Sequence, residues 1–345
     1  MEVAVIDAEK QYSSWTHFVL GHPNSTVYHT IEWKAVIERT FGYQPYYMVA
    51  RQNGRILGVL PAFIVPRFRK RFLISMPLRD YGGILAETRE SERAIKSYLD
   101  SLQSEYQIIL KSQYFPKSVY EEGCIRKTHL RSVIDIPANK SDYDNILRGK
   151  AVWRAIKKSM KMNVIVSEAA SDEEWREFYL IFLRTRKRLG IPPFEYKLFD
   201  SIKNAMVPRR FAFLLLARKE RSVIAGMLLF MYRDKMTFAY GASDKHSLHC
   251  RPNDRLFYEA IQRAICSKMR LMDLGADHPS QQNLISFKNK WGARVEPVSQ
   301  FFMGKYERSW QDMENPMTRV GRIIIRNLPM SLFRRTSWIP RLLAD

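Results

Sequence analysis

Cysteine is scarce in this chain. Cys124, Cys250 and Cys266 are the only three in 345 residues. The number is odd, and no Cys-x-x-Cys pair or zinc spacing links them, so a disulfide framework or structural metal site has no basis. A reducing compartment is the expected setting. No apolar run approaches the roughly 20 residues that a bilayer span needs. The opening, MEVAVIDAEKQYSSW, lacks a basic stretch followed by an apolar one, so no secretory signal is expected. The expected location is therefore cytoplasmic, or peripheral on the inner face of the cell membrane. No P-loop, zinc signature, serine elbow or GxGxxG follows a strand, which leaves hydrolase and NTPase classes unsupported. No metal site is expected. Acid is also in short supply, with 35 Asp and Glu against 56 Lys and Arg, a formal charge of +21. Such a surplus draws polyanions: nucleic acid, anionic lipid, or substrates carrying phosphate. A basic, merely solvated surface is the plain alternative.

What is present organises itself around residues 211–243, FAFLLLARKERSVIAGMLLFMYRDKMTFAYGAS. Three apolar runs are separated by hairpin-length charged turns at Arg218–Ser222 and Arg233–Lys235, which predicts an antiparallel meander. Alternation is weak in Val223–Tyr232, so this strand is expected to be covered on both faces. A buried meander between helices suits an enzyme site, and a core sheet without chemistry suits it equally.

Helical spacing covers residues 11–41, ending near Phe41-Gly42. Two apolar runs, Tyr46–Ala50 and Ile56–Val65, then flank the hairpin signal Asn53-Gly54. A third run, Phe72–Met76, leads into Arg79-Asp80-Tyr81-Gly82-Gly83, where paired glycines permit a turn or close backbone approach to a ligand. Residues 91–103 read as an amphipathic helix. In the second half, Asn145–Met160 reads as a basic helix, Asn163–Glu168 as a strand and Asp172–Leu189 as a helix stopped at Gly190. Beyond the meander come a helix over Asp254–Lys268, a strand at Leu271–Leu274 and a helix near Gln281–Trp291. Met48 to Gly58 and Leu215 to Gly226 share a strand, a polar turn and a strand opening on glycine. An internal duplication follows, with domains at 1–140 and 141–308 and a tail at 309–345. In the tail, Arg319, Arg322, Arg326, Arg334, Arg335 and Arg341 interleave with aliphatic residues and Trp338. That pattern fits a segment lying on an anionic membrane or a terminal helix packed on the core.

Candidate chemistry gathers late in the chain. Phe287, Lys288 and Trp291 fall within one helical turn, and Asp273, Asp277 and His278 close the preceding strand. A lysine beside aromatics can stabilise a developing oxyanion, because its field strengthens in a less solvated place. Asp273 or Asp277 can orient an amine or act as a base. A surface lysine and a helix-capping aspartate explain the same residues.

The order of motifs resembles the FemAB-like branch of the GNAT (Gcn5-related N-acetyltransferase) superfamily. In particular it is similar to the FemAB-related proteins found with exopolysaccharide and exosortase (PEP-CTERM) systems. The motifs are Thr30-Ile31-Glu32-Trp33, Phe41-Gly42-Tyr43, Gly58-Val59-Leu60-Pro61 and Asp80-Tyr81-Gly82-Gly83 in the first half. In the second they are Arg188-Leu189-Gly190-Ile191-Pro192, Tyr240-Gly241-Ala242-Ser243, Pro252-Asn253 and Phe287-Lys288-Asn289-Lys290-Trp291-Gly292. The resemblance spans about residues 28 to 305. It implies an α+β fold of two tandem GNAT-like domains, each a mixed, mostly antiparallel sheet flanked by helices. It also implies transfer of an acyl or aminoacyl group to an amine, as in peptidoglycan cross-bridge synthesis. On this reading Lys288, Asp273 and Phe287 are catalytic, and Tyr81, Gly82, Gly83, Arg154, Tyr240 and Trp291 bind substrate. No cofactor is held. The co-substrate is an anionic donor, aminoacyl-tRNA or acyl-CoA, and the acceptor is an envelope precursor. One departure stands out. GNAT enzymes that use acetyl-CoA cradle its pyrophosphate on a Gln/Arg-x-x-Gly-x-Gly/Ala loop, whereas the corresponding SDKHSLHCRPNDRL has no glycine. Such a loop offers fewer free backbone N–H groups. Nor is the long helical arm of some tRNA-using relatives visible. The expected function is amide formation on a peptidoglycan or polysaccharide precursor. The alternatives are acyl-CoA-dependent N-acylation of an amino sugar in exopolysaccharide synthesis and a non-catalytic RNA- or membrane-binding role.

Overall fold

The computed structural model describes residues 1–67, 70–112, 124–304 and 316–342. Two compact units emerge, each discontinuous in sequence: Met1–His129 with Pro297–Thr318 and Ile339–Asp345, and Leu130–Glu296 with Arg319–Trp338. The first parts of the expected tail, residues 309–315, and its last three, 343–345, lie outside the described residues.

The first unit begins with β1 (Glu2–Ile6), helices α1 (Tyr12–Gly21) and α2 (Ile31–Phe41), and a short β2 (Gln44–Pro45). Two hairpins follow: β3 (Tyr47–Gln52) with β4 (Arg55–Leu60), and β5 (Phe63–Arg67) with β6 (Lys70–Ile74). Next are β7 (Leu85–Ala86), α3 (Arg89–Ser101), β8 (Gln107–Ser112) and β9 (Cys124–Asp135). The second unit continues with α4 (Lys140–Leu147), α5 (Ala151–Lys161), β10 (Val164–Glu168), α6 (Asp172–Leu189) and α7 (Tyr196–Met206). Its centre is β11 (Ala212–Lys219), β12 (Ser222–Tyr232) and β13 (Lys235–Ser243), followed by α8 (Pro252–Cys266), β14 (Leu271–Asp277) and α9 (Gln282–Asn289). Last come β15 (Arg294–Met303), α10 (Pro316–Asn327), α11 (Met330–Arg335) and α12 (Ile339–Leu342).

The duplication is visible in strand pairing. In one unit β1 pairs antiparallel with β3 and β3 with β4. In the other, β10 pairs antiparallel with β11 and β11 with β12. Each hairpin slips register after the same dipeptide, at Ala50/Arg51 and at Ala217/Arg218. Each unit then closes with a helix crossover into a parallel pair, β6 with β8 through α3 and β13 with β14 through α8. The expected α+β architecture of two tandem GNAT-like halves, mixed sheets with helices against them, is what the chain forms. In the second unit the strand order is β10-β11-β12-β13-β14-β9, its last member contributed by residues from Leu130 onward.

Local chemistry explains the elements. The Ser171 hydroxyl accepts from the Glu174 N–H, and Glu174 reaches back to the Ser171 N–H, so α6 starts on a capping box. It stops where Gly190 adopts the left-handed conformation, φ +70°. Ile224 through Phe230 of β12 are buried without a break, because α6 lies on one face and α8 on the other. A Cβ on Gly226 would come within 2.4 Å of Phe178, so the missing side chain lets α6 approach the sheet.

Several expectations need correcting. The helix expected over Asn145–Met160 is two, α4 and α5, separated by Arg148–Lys150, where Gly149 takes a φ of +78°. The spacing at 11–41 belongs to α1 and α2 with a 3-10 turn, Val27–His29, between them. The run Ile56–Val65 is broken at Pro61, which separates β4 from β5. Neither α7 nor β15 was anticipated.

Candidate active site

The parallel partners β13 and β14 stay together only briefly. They pair at Lys235–Thr237 with Leu271–Asp273 and no further, although β13 runs on to Ser243 and β14 to Asp277. Two register slips flank the parting. On β13, Phe238 faces Leu229 and Tyr240 faces Leu228, so Ala239 is an extra residue. On β14, the ladder with β9 skips from Asp273 to Ala276, leaving Leu274 and Gly275 as the bulge. The result is a notch between two strands whose facing backbone groups are not laddered to each other, a place where a carbonyl-bearing ligand can be received.

The bulge on β14 organises the charges. Gly275 has φ +80°, a conformation that glycine takes without Cβ strain. Its N–H donates to Asp273 Oδ1 at 2.8 Å, and its carbonyl accepts from Lys288 Nζ at 3.1 Å. Lys288 Nζ also donates to Asp277 Oδ2 at 2.7 Å. An ammonium carries three N–H groups, and among the described residues the third has no acceptor. Asp273 Oδ2 accepts from Arg131 Nε at 2.8 Å, and Arg131 reaches Glu296 at 3.1 Å. Both side chains of the Arg131–Asp273 pair are 3% exposed. A carboxylate so engaged is a firm anchor. Lys235, buried at the start of β13, has its pKa pulled down to about 8 by desolvation, with the guanidinium of Arg131 contributing.

Aromatic rings support this corner. Phe287 lies edge-on to Phe257 of α8 at 5.6 Å, and Trp291 stacks on Phe257 at 5.3 Å. Phe238 of β13 stacks on the same ring at 5.6 Å. Trp291 is wholly buried and its carbonyl accepts from the Tyr143 hydroxyl at 3.2 Å, so it acts on this corner from beneath. Tyr240 sits on the opposite sheet face. The extra residue at Ala239 turns it toward Phe182, Phe194 and Phe199, at 5.9, 5.8 and 5.4 Å. In that cluster Arg186 lies 5.1 Å from the Phe194 ring centroid, and its Nε and Nη2 donate to the Pro192 carbonyl at 3.0 and 2.6 Å. Burial lowers its pKa to about 10, so it remains cationic at neutral pH. No carboxylate among the described residues pairs with it.

The structure thus brings Asp273, Phe287, Lys288 and Trp291 into one corner. Arg154 is exposed on α5. Tyr81, Gly82 and Gly83 belong to the first unit, where Tyr81 is buried against Tyr28 at 6.0 Å. The two glycines are close-approach points for protein: a Cβ on Gly82 would meet Met76 at 2.2 Å and one on Gly83 the Lys111 carbonyl at 2.6 Å. A cavity of about 840 Å³, lined by Ser13, His17, His22, Arg51, Arg55 and Glu87, also lies in the first unit. Sequence reasoning missed Arg131, Lys235 and Arg186. Only Arg186 carried a local signal, the run Arg184–Gly190 ahead of two prolines.

The glycine-free stretch after β13 forms a 3-10 turn, Lys245–Cys250, and enters α8 through Arg251 at φ +57°. Pro252 removes one N–H from the helix start and Asp254 places a carboxylate in the first turn. Burial raises the pKa of Asp254. A pyrophosphate therefore finds fewer donors here than at an open helix N-terminus.

Residues 148–282 match the acetyltransferase (GNAT) domain family, a stretch that ends before Phe287 and Lys288. The solved structure of FemX superposes with a TM-score of 0.68 at 15% identity, over 87% of this chain and 97% of that one. This is a FemAB-like GNAT fold. A tandem GNAT protein from the clavulanic acid biosynthesis pathway gives 0.53 at 11% identity, over 87% and 97% of the two chains. The C-terminal domain of a putative lysylphosphatidylglycerol synthetase from Agrobacterium fabrum gives 0.58 at 11%, over 87% and 93%. No curated protein matches by sequence. The acyltransferase expectation is met by the GNAT match.

Proposed function

We propose that the second unit transfers an acyl or aminoacyl group to an amine of a cell-envelope precursor, with chemistry at the notch between β13 and β14. The observation carrying this reading is Lys288, fixed to Gly275 and Asp277 beside the β14 bulge, with a third N–H that has no acceptor among the described residues. The acceptor amine attacks the carbonyl carbon of an activated ester or thioester. A C–N bond forms, the carbonyl π pair moves to oxygen, and Lys288 stabilises that oxyanion. Collapse breaks the bond to the leaving oxygen or sulfur, which takes the proton lost by the amine, so no separate protein base is required. Asp273, tied to Arg131, holds the Gly275 turn, and Phe287 limits solvent around the ammonium.

The resemblance to peptidoglycan cross-bridge enzymes and the shared FemX fold support an envelope acceptor. The formal +21 supports an anionic donor. Aminoacyl-tRNA is favoured over acyl-CoA by the blocked start of α8, and such a donor and acceptor place the reaction on the cytoplasmic side. The test is a transfer assay in which charged tRNA and acyl-CoA thioesters are offered in parallel, with muropeptide and amino-sugar acceptors. Amide formation from charged tRNA, abolished in Lys288→Ala, is the expected result. Transfer from thioesters alone would move the assignment to N-acylation of an amino sugar. Transfer undiminished in Lys288→Ala would overturn the site.

A further inference from the structure

We propose that the outward face of α10 is a docking surface for an anionic lipid bilayer. The helix is mounted opposite to one that completes a core. Val320, Ile323 and Ile324, at one-face helical spacing, are 56%, 57% and 56% exposed. Its inner side is backbone and arginine. The Arg322 carbonyl rests where a Cβ on Gly190 would come to 2.5 Å, and Arg322 Nη2 donates to the Leu189 carbonyl at 3.2 Å. Lys187 Nζ donates to the Arg326 carbonyl at 2.8 Å. The C-terminal end of α6 therefore holds α10 by its polar side and turns the aliphatic stripe to the outside. Arg319 and Arg326 are exposed beside that stripe. Farther along, buried Phe333 anchors α11, while Leu332 and Trp338 remain 46% and 54% exposed beside exposed Arg334 and Arg335.

An aliphatic stripe rimmed by arginine, with a tryptophan nearby, matches the boundary between acyl chains and anionic headgroups. Nucleic acid would use the arginines and leave the isoleucines in water. Self-association through this face would set its arginines against one another. No helix among the described residues is long and apolar enough to cross a membrane, so the contact is with the surface. Vesicle binding through this face is read independently of transfer activity.

The experiment is flotation of the full chain with vesicles of phosphatidylcholine alone and of phosphatidylcholine with about 30 mol% phosphatidylglycerol. Binding to the anionic vesicles only is expected. The double variant Ile323→Ser/Ile324→Ser changes no charge and touches exposed positions, and it should lower partitioning about tenfold. Arg319→Gln/Arg326→Gln should lower it as well, and added salt should weaken the charge contribution. Wild-type protein that fails to bind overturns the proposal. So does equal binding by the serine variant, which would reduce the effect to overall charge. A wild-type dimer that the serine variant dissolves, without vesicle binding, would assign the face to a second copy. Selective binding of RNA over vesicles would assign it to nucleic acid.

Discussion

Asp273 and Lys288 are joined through a single residue, since the N–H of Gly275 donates to one and its carbonyl accepts from the other. The cation is thereby placed by a bulge, a conformation that costs a non-glycine residue strain. Lys288→Ala should cut the transfer rate by about 10²–10³-fold with little change in KM for the donor, and Lys288→Arg should restore part of it. Removing Lys288 also takes an ion-pair partner from buried Asp277. Melting of Lys288→Ala/Asp277→Asn beside Lys288→Ala separates loss of chemistry from loss of fold.

The Arg131–Asp273 pair should be costly to break and cheap to replace. Both side chains are almost fully buried, so Asp273→Ala leaves the Arg131 guanidinium with Glu296 but without its most buried counterion, and should destabilise the chain by about 3 kcal/mol. Asp273→Leu with Arg131→Met should recover much of that, because neither charge is then desolvated. Urea unfolding of the two variants checks the sign. The double variant should fold and still transfer poorly, because nothing holds the Gly275 N–H.

Lys235 gives a pH signature. Its folded pKa of about 8 lies below the unfolded value of 10.5. Between those values the unfolded chain binds more protons, so stability should rise with pH through that window. Comparing wild type with Lys235→Met from pH 8 to 9.5, where ionisations common to both proteins cancel, isolates the contribution. A difference growing by roughly 1–2 kcal/mol in favour of wild type is expected. Parallel curves would mean that Lys235 keeps its charge in the folded chain.

Gly190 ends α6 in a left-handed turn and lies under the backbone of α10. Alanine here meets strain from φ and a clash with the Arg322 carbonyl, so Gly190→Ala should cost about 1 kcal/mol or more. The measurable outcome is faster proteolytic cleavage after Arg319 or Arg322, with the α11 anchor at Phe333 slowing cleavage beyond it.

Much of the second unit was legible because its signals are local. The meander needs only apolar runs and charged turns, and α6 announces both ends through Ser171 and Gly190. The corner at Lys288 was legible in part, since Phe287, Lys288 and Trp291 are neighbours in sequence. What decides its geometry was not. Arg131 reaches Asp273 across 142 positions, and no periodicity encodes such a pairing. Bulges at Ala239 and Gly275 are register events, which move side chains between faces without altering composition. Tyr240 shows the consequence. Plain alternation puts it on the face of Phe238, beside the Phe257 ring, and one extra residue sends it to α6 and α7.

That reversal makes Arg186 the residue to test on the far face. Its guanidinium lies among Phe182, Phe194 and Tyr240 with no carboxylate partner among the described residues, and two of its donors share one carbonyl. Burial lowers its pKa to about 10, yet the group stays charged at neutral pH. A desolvated cation without a counterion is stabilised by any anion that reaches it, and its fork suits a phosphate or carboxylate. Arg186→Met should raise KM for a phosphate-bearing substrate about tenfold while leaving the rate at saturation nearly unchanged, since this face is not the one that holds Lys288. Arg186→Lys keeps the charge but loses the fork and should fall between. Because methionine also relieves a desolvated charge, the variant should melt no lower than wild type unless the Pro192 contact fixes the α6–α7 turn. A lower rate with unchanged KM would place Arg186 in the chemistry instead. Equal KM in both variants would make it a support for that turn.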